Sequence, residues 1–115
     1  MKRLNGISPL EWPDLALNNT TEQIGKLMLD SCKGYEAYVA QLSTNETNRI
    51  INYQNIKGIP FHNSIFEIIT HLMNHGTYHR GQLVTMLRGA GSTPIPATDL
   101  IVFYRENHQP LFPDI

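Results

Sequence analysis

Apolar residues recur every three or four positions along two stretches of the chain, and that period predicts two long helices. In the first, Ile24, Met28, Ser31, Tyr35, Val39 and Leu42 fall on one face. Thr20 or Thr21 can cap its start, with Glu22 and Gln23 in the first turn. The expected helix covers residues 21–43, and Cys32, beside the apolar face, is expected to be a small buried hydrophobe. In the second stretch the period runs from Ile65 to about Leu87, with Asn63 or Ser64 as cap and Glu67 near the start. The expected helix covers residues 64–88, and "RGAGSTPIP" ends it through Gly89, Gly91 and the prolines. Thr98-Asp99 then marks the start of a short last helix, "LIVFYREN".

The segments between are of other kinds. "GISPLEWPDLALNN", residues 6–19, has the prolines and terminal Asn pair of a loop, and the tail "HQPLFPDI" reads as irregular. "RIINYQNIKGIPF", residues 49–61, is β-branched and aromatic around Lys57-Gly58. A hairpin is one option there. One strand pair would have no larger sheet to join, so the segment is read as a crossover connection. The expectation is a single all-α domain over residues 1–115.

Composition narrows the function classes. Lys plus Arg number 9 and Asp plus Glu 10, a near balance with no general drive toward nucleic acid. No apolar run approaches the ~20 residues of a membrane span. Met1-Lys2-Arg3 is not followed by an apolar stretch, and the single cysteine excludes an internal disulfide. A cytoplasmic location is the expectation, with no membrane or nucleic-acid partner.

The chemistry concentrates in "HLMNHGTYHRGQL", where His71, His75 and His79 stand four residues apart. A helix turns about 100° per residue. With Ile65 at zero, His79 lies at about −40°, His75 at about −80° and His71 at about −120°. His79 therefore borders the apolar face, His75 flanks it and His71 leans to solvent. Imidazoles at i and i+4 are surface neighbours that can share one ion. The outer two of three such residues are about 12 Å apart along the axis, so a pair is expected, and His75 with His79 is the pair nearest the interior. A structural or solvent-exposed pair is the competing reading. A zincin-type protease is excluded, because Gly76 stands where the general-base Glu would be. Gly76 faces the core, where its missing side chain would admit another helix. Arg80, at about +60°, is expected to be buried and paired with Asp99. His62 and His108 are read as surface residues.

Taken together, "IFEIITHLMNHGTYHRGQLVTMLRGAGSTPIPATDLIVFYR" resembles the C-terminal half of the DinB family, the damage-inducible DinB/YfiT-like metalloenzymes. The likeness rests on His71, Asn74-His75, "HRGQ" from His79 to Gln82, the Gly-x-x-Pro turn and "DLIVFYR". "INYQNIKG" and "KRLNG" resemble the family's preceding segments. The resemblance implies an up-down-down-up four-helix bundle. It also implies a divalent metal, zinc, nickel or similar, held by three histidines, two of which map onto His75 and His79. Some relatives are transferases or isomerases that use a low-molecular-weight thiol, which implies a small-molecule substrate. The resemblance places Met1 near the end of the family's second helix, so the first helix, most of the second and the third histidine have no counterpart here. Three outcomes stay open: the chain is a fragment, a partner completes the site, or the site is vestigial.

Two functions follow as expectations. One is a DinB-like metal-dependent enzyme or its remnant, with His75 and His79 as ligands and with Arg80 and Gln82 as structural or supporting residues. No residue stands out as nucleophile or general base. The other is a noncatalytic self-associating helical module, a homodimer in which two partial bundles cover each other's apolar faces.

Overall fold

The computed structural model describes residues 2–5, 8–9 and 19–107. The described chain is mainly α, with four α-helices and one small sheet: α1 (Thr21–Ala40), α2 (Thr44–Thr47), β1 (Ile50–Gln54), β2 (Pro60–Ser64), α3 (Ile65–Gly89) and α4 (Leu100–Glu106), preceded by a 3-10 turn at Arg3–Asn5. The chain divides into two units, Met1–His71 and Leu72–Ile115, and the division falls within α3. The loop expected over residues 6–19 and the tail from residue 108, including His108, lie largely or wholly outside the described residues.

Helix starts follow local hydrogen-bond chemistry. Thr20 accepts from the Gln23 backbone N–H through Oγ1, and its own N–H donates to Gln23 Oε1, which closes a capping box at the head of α1. Ser43 and Glu46 make the same reciprocal pair ahead of α2, a one-turn helix the apolar period does not announce. Ser64 and Glu67 repeat it at α3, where Glu67 N–H donates to Ser64 Oγ and Ser64 N–H to Glu67 Oε2. Those bonds favour the charged carboxylate. The backbone N–H of Ser64, then the side chain of Asn63, hold Glu67 below the usual glutamate range. At the far end of α3, Gly91 N–H donates to Arg88 O and Ser92 N–H to Leu87 O. Gly91 has φ 77°, the left-handed turn that ends a helix in this pattern and that glycine adopts without strain.

The crossover expected over residues 49–61 is instead an antiparallel hairpin, with Ile50 opposite Ser64 and Gln54 opposite Pro60. Its turn is built by Asn55, whose backbone oxygen accepts from Gly58 N–H and whose Oδ1 accepts from Lys57 and Ile59 N–H. Gly58, at φ 77°, supplies the required left-handed residue. A lone strand pair is marginal in water, but this one packs. Ile51 on β1 joins Leu4 and Ile65 in the buried core of the first unit, 9%, 4% and 0% exposed. Tyr35, Tyr38, Leu42, Tyr53, Ile68 and Ile69 pack around them. Tyr53 also donates to Asn63 Oδ1 across the ladder and receives the Arg3 guanidinium over its ring.

The expected apolar stripes are covered only in part. Tyr35 and Tyr38 on α1 and Leu42 just beyond it pack, while Met28 and Val39 are exposed. On α3, Ile65, Ile68 and Ile69 pack while Leu83 and Leu87 do not. Cys32, expected to be buried, is exposed. Among the described residues no polar or charged residue is buried, and no helix is long and apolar enough to cross a membrane.

Candidate functional site

The histidines lie in the middle of α3, where uninterrupted helix sets their spacing. His75 and His79 come together: their Nε2 atoms are 2.9 Å apart, and the rings meet edge to face with centroids 4.4 Å apart. His79, expected at the border of the core, is exposed, and so are His71 and His75.

A chain of side chains continues from His79. Its Nδ1 is 2.9 Å from Gln82 Oε1, and Gln82 Nε2 donates to the Tyr78 hydroxyl at 3.1 Å. With the amide in this orientation its oxygen accepts, which favours the Nδ1–H form of a neutral His79. In that form Nε2 of His79 is an acceptor, and the short contact is met by a proton on Nε2 of His75. The Tyr78 ring lies against both imidazoles, with centroids 6.2 Å from His75 and 5.3 Å from His79. Tyr78 also lines a shallow, open depression on the same helix with Gly81, Gln82, Thr85 and Met86.

The pair suits a divalent metal in donor type and spacing. Two imidazole nitrogens on one tetrahedral zinc, each at about 2.0–2.1 Å, stand about 3.3 Å apart, a few tenths beyond the present contact. For both nitrogens to donate, the His75 ring must carry its proton on Nδ1 instead. Among the described residues no third His, Cys, Asp or Glu joins them.

Two expectations about the neighbours are corrected. Arg80 is exposed and donates to Thr77 Oγ1 at 2.8 Å; it is neither buried nor paired with Asp99. Asp99 sits at the N-cap position of α4 without a side-chain cap bond. At Gly76, among the described residues, an added Cβ would meet only the Arg80 guanidinium, 3.4 Å away, and no second helix. The wheel gives a side chain's direction, but direction alone does not bury it. Tyr78 is the residue that sequence reading missed. Its signal was its spacing, three residues from His75 and four from Gln82, which puts it beside both on a helix.

The comparisons with known proteins bear on the same helix. The curated Protein DinB of Bacillus subtilis (strain 168) is 37% identical over 62 residues, 53% of this chain and 36% of that protein. The chain therefore matches about a third of the length of that relative. No solved structure matches the chain. The DinB family model matches residues 6–109, which takes in both long helices, the hairpin and the histidine pair, and so the chain belongs to the DinB family.

Proposed function

We propose that this chain is a DinB-type metal-binding protein in which His75 and His79 supply two imidazole nitrogens to one divalent cation. The carrying observation is the convergence of the two Nε2 atoms at 2.9 Å on one exposed helix face. The DinB family match spans the helix that carries both histidines. A bound divalent ion with open positions would lower the pKa of a coordinated water or thiol. The residues of the chain hold and orient the two nitrogens, and the depression beside Gln82 offers a small substrate apolar contact through Tyr78 and Met86. A thiol-dependent transfer on a small molecule is the activity this reading favours. With two protein ligands, affinity in the isolated chain is low, since catalytic zinc sites usually have three.

The test is calorimetric titration with Zn²⁺ and Ni²⁺ of the wild type, His75→Ala, His79→Ala and His71→Ala. Weak binding by the wild type is expected, abolished by the first two substitutions and little changed by the third. Because ligation needs unprotonated imidazole, binding should weaken on acidification. Binding that survives loss of either His75 or His79 would place the ligands elsewhere.

A second reading, a self-associating helical module, draws on the exposed apolar residues Leu83 and Met86 on α3 and Leu100, Ile101 and Phe103 on α4. A homodimer would bury such residues at roughly 25 cal/mol per Å². No metal binding by the wild type, together with a dimer mass by light scattering, would favour it over the first.

A further inference from the structure

The His79–Gln82–Tyr78 chain has a direction, and the direction matters. A neutral histidine side chain in water favours the proton on Nε2, the nitrogen that a helical His pair turns toward its neighbour. A ring in that form presents an N–H, not a lone pair, to an ion. Which nitrogen keeps the proton is decided by the hydrogen bond at the other one. Here that bond comes from Gln82 Oε1, 2.9 Å from His79 Nδ1. An amide can be turned either way, and turned over it would offer N–H groups to Nδ1 and select the opposite form. In the structure the amide stands with Oε1 facing His79 Nδ1 and Nε2 donating to the Tyr78 hydroxyl.

We propose that Gln82 is a positioning residue that holds His79 as the Nδ1–H tautomer, with its Nε2 lone pair turned toward Nε2 of His75. This rests on the reading of His75 and His79 as ligands, and it names the residue that prepares one of them before any ion arrives. The three side chains lie within five residues of one helix, so the arrangement needs no contact from elsewhere. Gln82 is exposed, and its substitution leaves the core untouched.

The experiment reads the tautomer directly. Long-range ¹H–¹⁵N correlation spectra of metal-free, ¹⁵N-labelled protein are recorded at about pH 8.5, above the ordinary imidazole range. In the wild type, His79 should show an unprotonated Nε2 and a protonated Nδ1. Gln82→Leu should move the proton population toward Nε2. Gln82→Glu, whose carboxylate still accepts from Nδ1, should keep the wild-type form. A parallel Ni²⁺ titration should show affinity reduced about 10–100-fold in Gln82→Leu and retained in Gln82→Glu. A wild-type His79 with its proton on Nε2, or a tautomer unmoved in Gln82→Leu, overturns the inference. So does equal Ni²⁺ affinity in wild type and Gln82→Leu. Failure of the wild type to bind any metal overturns the reading of the site instead; the metal-free spectra then still decide the tautomer.

Discussion

Ile65 is the residue on which the start of the histidine-bearing helix rests, and Ile65→Ala measures how much. Its side chain is 0% exposed and lies in a core whose other buried members, among the described residues, are Leu4 and Ile51. The substitution removes three carbons. At about 0.8 kcal/mol per buried methylene, the transfer loss is roughly 2.4 kcal/mol. The unfilled space adds to that, and Ile→Ala losses in protein cores run about 2–5 kcal/mol. Alanine's better helix propensity returns only a few tenths of a kcal/mol. The expected cost is therefore about 3 kcal/mol, a large part of the roughly 5–15 kcal/mol that holds a domain together. With a urea slope of about 1.5 kcal/mol per M, the unfolding midpoint should fall by about 2 M. The control is Phe66→Ala, one residue on, where the side chain is 61% exposed. It should cost under about 1 kcal/mol. Urea titration followed by circular dichroism at the helical band compares the two variants with the wild type. Equal midpoints for Ile65→Ala and Phe66→Ala would refute the packing argument, because a core absent in solution cannot distinguish a buried from an exposed neighbour.

Tyr38 packs against the same core, yet among the described residues its buried hydroxyl has no hydrogen-bond partner. Leaving such a group unsatisfied costs about 1–3 kcal/mol, so Tyr38→Phe should hold or raise the melting temperature, and a clear drop would reveal a partner. Glu67, held below the usual glutamate range by its bonds to Ser64 and Asn63, links folding to pH. A depressed folded pKa contributes stability that is present above the unfolded value, about 4.3, and is lost as pH falls through the lower folded value. Melting temperature should therefore fall below about pH 5, less steeply in Glu67→Gln than in the wild type; identical acid slopes would remove Glu67 from the linkage.

What could be read from the sequence was whatever is closed within about four residues. Thr20 with Gln23, and Ser64 with Glu67, mark helix starts because a side-chain oxygen three positions back is in reach of the backbone N–H groups a helix leaves open. Gly91 marks a stop because few other residues take its φ without strain. Ser43 with Glu46 carried the same signal and went unread because no apolar period followed it. The His75–His79 pair was legible for the same reason, since i and i+4 meet on any helix.

What only the tertiary structure decided was cover. Leu4, Ile51 and Ile65 are far apart in the chain and become a core only because a hairpin sets Ile51 beside the other two. That packing stabilises a strand pair that local reasoning rejected. The converse holds for Cys32 and Arg80, whose helical angles pointed inward with no neighbour to bury them. A helix angle is set by 100° per residue and follows from the sequence alone; burial depends on which distant segment arrives at that angle.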